Sequence, residues 1–252
     1  MKTAVITGGA GGLGQALSRA LQGQGWKVVL IDLDISGLNT SDTQIPIECD
    51  LTDAVQLEHT IRQVQSLGPN IDLVIYNAGI THIGAFNDTD LDTYRKVFEI
   101  NFFSAVALAR GLAETVRRSK GTHLAISSVA GFAPLHHRTA YAASKHALEG
   151  FFKSLRSEER RHQVTVQIAA PSFVATNIGN PQAQTDGTAR PGSATDGLDY
   201  MSPEDAAQSI LHGLRRAQPM IPVGRIARLS WWINGLAPRL YQRLMERQID
   251  GA

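Results

Sequence analysis

The chain has 252 residues, 43% of them hydrophobic and 19% charged, so it can bury a sizeable core as one large domain or two small ones. Its formal net charge of +1 argues against a nucleic-acid partner, and its single cysteine, Cys49, excludes an internal disulfide framework and gives no indication of a metal site. Because no stretch reaches the roughly 18 apolar residues of a spanning helix and the first residues do not resemble a signal peptide, we expect a cytoplasmic protein.

The first predicted elements are a strand, a glycine-rich turn and a helix. Residues 3–7 form a short β-branched run, the seven residues from Gly8 to Gly14 include five glycines, and apolar residues then recur at helical spacing. Glycines let a backbone approach a pyrophosphate closely, and the amino terminus of a helix offers it free N–H groups. A flexible loop is the alternative interpretation of this stretch taken alone.

The second predicted strand, residues 27–31, ends at Asp32, eighteen residues after Gly14. This is the spacing expected for a carboxylate that hydrogen-bonds the adenosine ribose of a dinucleotide. Such a carboxylate repels a 2′-phosphate, and neither Leu33 nor Gly11 offers a compensating cation, so we expect NAD rather than NADP. The alternative for Asp32 is a solvated strand end.

Two further predicted strands lead to polar and small residues. Residues 45–49 lead to Asp50, which could accept a hydrogen bond from an adenine amine or, alternatively, cap the helix predicted over residues 53–67. Residues 71–76 stop at Asn77-Ala78-Gly79, where small side chains allow close packing against a cofactor.

Asn101 lies between apolar neighbours in a helical stretch predicted over residues 90–118. A buried asparagine must be hydrogen-bonded. It is therefore either a core amide that bends the helix or a catalytic group that holds a water molecule.

Three side chains suited to proton chemistry follow. A strand predicted at residues 124–126 ends at Ser127-Ser128, and a hydroxyl at the carboxyl end of a strand lies where open α/β sheets bind ligands. Tyr141 and Lys145 are four residues apart and so share one face of a helix. A neighbouring cation should lower the pKa of a tyrosine from its usual value near 10.

A sixth predicted strand, residues 164–169, completes an alternation of strands and helices. Such an alternation predicts an α/β protein with a doubly wound, mostly parallel sheet, here of roughly seven strands. No linker or internal repeat divides residues 1–224, so we predict one Rossmann-type domain there.

At this point the motifs resemble those of the short-chain dehydrogenase/reductase family over residues 1–176. The matching motifs are Thr7-Gly8-x-x-x-Gly12-x-Gly14, Asn77-Ala78-Gly79, Asn101, Ser128 and Tyr141-x-x-x-Lys145.

The resemblance implies roles for these residues. Tyr141 would be the general acid or base, Ser128 would hydrogen-bond the substrate oxygen, and Asn101 would hold a water molecule in a proton relay to Lys145. Lys145 would lower the pKa of Tyr141 and bind the nicotinamide ribose. The implied cofactor-binding residues are Gly8, Gly11, Gly12, Leu13, Gly14, Asp32, Asp50, Leu51, Asn77, Ala78, Gly79, Tyr141, Lys145, Pro171, Val174 and Thr176.

The chain departs from the family pattern after the sixth strand, where it has Pro171-Ser172 in place of the usual Pro-Gly. The turn survives if residue 172 needs no positive φ. Residues 177–200 are irregular and rich in turn-forming residues, so we predict a lid over the substrate. Core or surface roles are favoured over substrate contact for three histidines, His82, His136 and His137.

The carboxyl-terminal segment, residues 225–252, is predicted to be an amphipathic helical extension. Between residues 215 and 247 the sequence has seven arginines and one acidic residue, Glu246. Trp231 and Trp232 add aromatic surface. A basic amphipathic stretch of this kind can lie on a membrane or border an apolar substrate entrance, although packing on the domain itself or on a partner subunit is favoured.

Taken together, the sequence predicts an NAD-preferring dehydrogenase or reductase acting on a secondary alcohol or ketone, with an apolar substrate as one option. We expect a homodimer or homotetramer that pairs the helices at residues 101–118 and 139–162. The alternatives are a non-catalytic dinucleotide-binding sensor or scaffold, which would gain nothing from a tuned phenol, and a nucleotide-sugar epimerase or dehydratase, which needs more residues beyond the sheet.

Overall fold

A computed structural model describes residues 1–176, 186–189 and 200–250, with side chains described as far as residue 246. Seven parallel strands form one sheet in the order β3-β2-β1-β4-β6-β7-β9. A separate antiparallel pair, β5 and β8, lies outside it. The strands are β1 Thr3–Thr7, β2 Lys27–Asp32, β3 Gln44–Glu48, β4 Leu73–Tyr76, β5 Thr81–His82, β6 Thr122–Ile126, β7 Thr165–Pro171, β8 Thr188–Ala189 and β9 Met220–Val223.

Helices cover both faces of the sheet. They are α1 Gly12–Gln22, α2 Ala54–Ser66, α3 Leu91–Phe98, α4 Ser104–Ser119, α5 Thr139–Glu159, α6 Pro203–Arg215, α7 Arg225–Leu236 and α8 Pro238–Asp250. Side chains of β1 alternate between two buried clusters: Val5 joins the one under α2, α4 and α5, and Ile6 the one under α1 and α6. Both faces of the strands are therefore apolar, as a doubly wound sheet requires. The predicted fold class is confirmed.

The long helical stretch predicted over residues 90–118 is not one regular helix. Residues Glu99–Phe103 form a π-helical turn between α3 and α4. Such turns are rare and are frequently found at functional sites. The turn contains Asn101, which is buried.

Strand and helix ends differ from prediction by a few residues where side chains or distant backbone groups decide them. β4 begins at Leu73, and the N–H of Ile71 donates to the Thr115 carbonyl of α4 rather than to a strand. α2 is capped by Asp53, whose carboxylate accepts from the N–H groups of Val55 and Gln56.

Part of the predicted lid over residues 177–200 lies outside the described residues, namely 177–185 and 190–199. Residues 186–189 are described. Thr188 and Ala189 pair with His82 and Thr81. Lys96 donates to Asp186 at 2.7 Å, so this part of the segment is held against α3. The two-residue strands were missed because runs this short carry no period that a sequence pattern can reveal.

The carboxyl-terminal helices follow the last strand directly. α7 packs against the short turn at residues 129–131, and α8 packs against α7. In the described part of the chain, no helix combines the length and hydropathy needed to cross a bilayer.

Candidate active site

The glycine-rich turn lies against the carboxyl end of β4. Gly8 has φ 66°, and a Cβ there would lie 2.9 Å from the Cα of Ala78. A Cβ at Gly14 would lie 2.2 Å from the carbonyl oxygen of Gly8. Both positions therefore require glycine, the first for its conformation as well as for space.

α1 begins at Gly12 with no side-chain cap, because its N-cap residue is Gly11. The N–H groups of its first turn have no intrahelical partners and are available to an anion. A Cβ at Gly12 would lie 3.2 Å from the Cβ of Thr176, so Thr176 stands beside this helix end. The side chain of Leu13 points into the core, which leaves only its backbone for a ligand.

The two predicted adenosine carboxylates lie at the ends of neighbouring strands, β2 and β3. One oxygen of Asp32 accepts from the N–H of Ala10 and the other from that of Leu33, both at 2.8 Å. Each carboxylate oxygen retains a lone pair for a ribose hydroxyl. Asp32 thus also joins the glycine-rich turn to β2.

Asp50 does not cap the following helix, since Asp53 does so. One oxygen of Asp50 accepts from the N–H and hydroxyl of Thr52, at 2.8 and 2.7 Å. Leu51 packs against the core rather than toward an open groove.

Asn77 joins β4 to β1. Its side-chain amide donates to the carbonyls of Thr7 and Gly8, at 3.1 and 3.0 Å, while the hydroxyl of Thr7 accepts from the N–H groups of Asn77 and Ala78. In this structure the Asn77 side chain therefore fixes the glycine-rich turn. Gly79 continues toward the reactive side chains: a Cβ there would lie 3.2 Å from Asn101 Oδ1 and 3.4 Å from Lys145 Nζ.

Both ends of the Asn101 side-chain amide are hydrogen-bonded within the protein. Its Oδ1 accepts from the N–H of Ile80 at 2.8 Å, and its Nδ2 donates to the Ile80 carbonyl and to the Ser144 hydroxyl, each at 2.9 Å. It thus holds the chain after β4 against α5. Ser144 was not predicted, although its position directly before Lys145 in the sequence marks it as a neighbour of the site.

Ser128 and Tyr141 meet at the carboxyl end of β6. The hydroxyl of Ser128 accepts from the N–H of Ala130 at 3.2 Å, which orients it. Both side chains are buried. Burial raises the pKa of the Tyr141 phenol, while hydrogen bonding by Ser128 and the charge of Arg138 act to lower it.

Lys145 is almost fully buried, and its ammonium donates to the Ile126 carbonyl at 3.0 Å. Its Nζ lies 5.8 Å from the centre of the Tyr141 ring. Burial lowers the pKa of Lys145 to about 8, against the opposing charge of Glu149. Burial is the largest influence on the pKa of Tyr141 in this structure and acts against the expected lowering by Lys145, whose role toward the phenol stays a prediction.

A buried carboxylate that the sequence did not reveal supports this corner. Glu149, one turn after Lys145, accepts from the Ser127 hydroxyl at 2.8 Å and from Lys153 at 2.7 Å. Gly131 leaves room for this contact, because a Cβ there would lie 2.2 Å from Ser127 Oγ.

The Pro171-Ser172 turn keeps its place without glycine. Among the described residues Ser172 is not one of those with positive φ, and its N–H donates to the Val223 carbonyl at 3.1 Å. The positive φ of 97° belongs to Gly224, which packs on the Ser172 hydroxyl. Val174 is buried and bridges to Met201.

One of the three histidines is buried and two lie on the surface. His82 is buried, with no partner for its Nδ1 among the described residues, and burial lowers its pKa. His136 and His137 are exposed and stack on each other with ring centres 3.6 Å apart. In the sequence, Arg138 lies between these two histidines and Tyr141. Arg138 is buried and donates to the Thr81 hydroxyl at 3.2 Å.

Residues 2–187 match the family model described as short chain dehydrogenase. The chain belongs to the short-chain dehydrogenase family. A curated relative, dehydrogenase/reductase SDR family member 7B from Rattus norvegicus, is 32% identical across 96% of this chain and 79% of its own length.

Solved structures agree with this family assignment in their fold. A short-chain dehydrogenase from Burkholderia cenocepacia in complex with NADP has a TM-score of 0.84 at 21% identity and covers 97% of this chain and 99% of its own. A short chain dehydrogenase/reductase from Burkholderia phymatum in complex with NAD has a TM-score of 0.75 at 22% identity and covers 87% of this chain and 88% of its own.

Proposed function

We propose that this short-chain dehydrogenase transfers a hydride between NAD and a secondary alcohol or ketone, with Tyr141 as general acid or base. The observation that carries the proposal is the convergence of Ser128 and Tyr141 at the end of β6, next to Lys145 and Asn101. A binding protein without turnover has no need of a buried phenol held against a hydroxyl.

The residues of the glycine-rich turn and of the ends of β2 and β4 would suit a dinucleotide. Close backbone contacts at Gly8 and Gly14, the uncapped start of α1 and the carboxylate of Asp32 are the features that a pyrophosphate and a ribose need. The cofactor residues predicted from sequence would hold the dinucleotide, Leu13 and Leu51 through their backbones, and a bound nicotinamide would supply the hydride chemistry.

The preference for NAD over NADP rests on Asp32. Its carboxylate would repel a 2′-phosphate, and the next residue, Leu33, is exposed and uncharged, so it offers no compensating cation. One solved neighbour is in complex with NADP and another with NAD, so the shared fold alone does not set the preference.

The hydroxyls of Ser128 and Tyr141 have different roles in the proposed proton chemistry. Ser128 accepts from Ala130 and can donate its own proton to a substrate oxygen, which stabilises charge that develops there. Tyr141 gives a proton to that oxygen during ketone reduction and removes one during alcohol oxidation. Lys145 and Asn101 fix the backbone on either side, at Ile126 and Ile80.

The test is an assay of sterols, acyl ketones, polyols and short alcohols with NAD and with NADP. Tyr141→Phe should reduce kcat by at least roughly a hundredfold, the usual contribution of a general acid or base. Tyr94→Phe is the matched control, because its hydroxyl bonds only to Thr139 among the described residues. Full activity in a folded Tyr141→Phe variant would show that the assigned mechanism is wrong. Cofactor binding without turnover of any substrate class would favour a sensor.

We also infer a homodimer or homotetramer in which α4 and α5 pair with their copies. On α5 the exposed residues Ala143, His146 and Gly150 share one face, and a Cβ at Gly150 would meet no atom within 4 Å. Small side chains allow close helix contact, as an isologous interface needs.

A further inference from the structure

The outer side of the two carboxyl-terminal helices is apolar. Leu229, Trp232 and Leu236 of α7 are 61%, 60% and 78% exposed, and Leu240 and Leu244 of α8 are 50% and 46% exposed. We call these five residues the α7–α8 surface. Packing of this segment on its own domain, one of the two explanations favoured from sequence, accounts for the inner side only.

The inner side of α7 and α8 contacts the domain through a small set of residues. Ala227 and Tyr241 join a small cluster with Val129 and Ala133, and Asn234 donates to the Phe132 carbonyl at 2.6 Å. The helices are therefore anchored on the turn that directly follows Ser128, with their large apolar residues left outside.

The charge of the two helices is mostly positive. Between residues 225 and 246 the sequence has four arginines, Arg225, Arg228, Arg239 and Arg243, and one acidic residue, Glu246. All four arginines are exposed, and none forms an ion pair within the described part of the chain. Glu246 accepts from Gln242 at 2.6 Å.

We propose that the α7–α8 surface binds the face of an anionic phospholipid bilayer. Exposed leucine and tryptophan beside arginine is the composition of helices that lie in the membrane interface, with apolar residues among acyl chains and cations near phosphates. The helices have 12 and 13 residues, too few to span the hydrocarbon core.

A second copy of the chain fits this surface less well. A two-fold interface places the same patch on both sides, so the arginines would face arginines, with Glu246 as the one acidic group among the described side chains of these helices. An anionic leaflet complements every one of them.

The test is co-sedimentation of the full chain with vesicles of phosphatidylcholine plus phosphatidylglycerol, and with pure phosphatidylcholine vesicles. We expect binding to the anionic vesicles that weakens with salt, with a blue shift of tryptophan emission. Trp232→Glu with Leu236→Glu should abolish it. The matched control is Val55→Glu with Leu91→Glu, two equally exposed apolar residues elsewhere.

A second pair of variants tests the charges. Arg228→Gln with Arg239→Gln should weaken binding to anionic vesicles about thirtyfold, the effect of removing two cations near a charged leaflet. Arg118→Gln with Arg161→Gln, exposed arginines on other helices, should leave it unchanged.

Two outcomes would overturn the proposal. One is that the wild type sediments with neither vesicle type. The other is that Trp232→Glu with Leu236→Glu converts a larger species to a smaller one in sedimentation velocity without lipid, which would assign the surface to a second copy. Turnover by the variants reports separately on the proposed function, because neither Trp232 nor Leu236 belongs to the site.

Discussion

Asn101 Nδ2 donates to Ser144 Oγ at 2.9 Å, and this buried hydrogen bond joins the π-helical turn to the helix that carries Tyr141 and Lys145. Ser144 passes the contact on, since its own hydroxyl donates to the Tyr141 carbonyl at 2.8 Å. The Asn101 amide and the Ser144 hydroxyl thus fix the position of α5 relative to β4.

Ser144→Ala should therefore both destabilise the protein and impair turnover. An amide donor of Asn101 is left unpaired in the interior, which costs about 1–3 kcal/mol of the free energy of unfolding. We expect kcat to fall more than KM rises, because the positions of Tyr141 and Lys145 change while the cofactor groove remains. Urea unfolding and steady-state kinetics measure the two effects. Ser154→Ala, exposed on the same helix, is the control. Unchanged stability would mean that Asn101 finds another partner.

The pH dependence of kcat/KM should depend on the charge of Arg138. Burial raises the pKa of Tyr141 and Arg138 acts to lower it, so loss of this charge raises that pKa further. Alcohol oxidation needs the deprotonated phenol and rises with pH, whereas ketone reduction needs the protonated phenol and falls at high pH. Arg138→Gln should move both profiles of kcat/KM to higher pH. Arg138→Lys keeps the charge and should move them less. Equal shifts in both variants would point to a structural effect instead.

Asp32→Asn should relax the choice of cofactor. The amide keeps one oxygen for the N–H of Ala10 or Leu33 but removes the charge that repels a 2′-phosphate. We expect the ratio of kcat/KM for NADP to that for NAD to rise roughly tenfold or more, about 1.4 kcal/mol. Asp42→Asn changes an exposed carboxylate in the loop between β2 and β3, and it should leave the ratio unchanged. A wild-type enzyme that already prefers NADP would contradict the argument from Asp32.

A buried histidine should make the protein sensitive to acid. Burial lowers the pKa of His123 to about 4, against about 6.5 in an unfolded chain. Between pH 4 and 6.5 the unfolded chain binds more protons than the folded one. The free energy of unfolding is therefore fully retained above pH 6.5 and falls as the pH drops toward 4. The expected loss is about 3 kcal/mol.

His123→Gln isolates this effect, because glutamine does not titrate and can still bond to the hydroxyl of Tyr76, 2.6 Å from the imidazole in the wild type. Urea unfolding above and below this pH window should show a smaller acid loss in His123→Gln than in the wild type. His59→Gln, an exposed histidine, should behave like the wild type. An equal acid loss in all three proteins would place the sensitivity elsewhere.

Gly150→Glu tests the proposed pairing of α5. The position is open in the single chain, and glutamate favours a helix interior over glycine by roughly 0.5–1 kcal/mol, so the folded chain should be slightly stabilised. A charge facing its own copy should nevertheless dissociate the oligomer, as seen by sedimentation velocity. Gly37→Glu, open and exposed outside the helices, is the control. An undisturbed oligomer would move the interface away from this face.

Sequence alone could predict the order of strands and helices and the positions of the family motifs, because each depends on a short stretch of residues. Two-fold and helical periodicity mark the elements, and the conformation of Gly8 and the crowding at Gly14 are demanded by the turn itself. The ends of strands in a parallel sheet then bring Asp32, Asn77 and Ser128 to one edge.

Burial and long-range contacts could not be predicted in this way. The pKa of Tyr141 is raised because the fold removes the phenol from water, an effect that the Tyr-Lys spacing does not contain. The roles of Ser144 and Glu149 depend on partners 43 and 22 residues away. The exposed side of α7 depends on how few residues pack beneath it. The sequence by itself thus determined which elements form and which residues their ends present, since those follow from local backbone constraints, whereas only the tertiary structure decided which groups lose their water and which face remains uncovered.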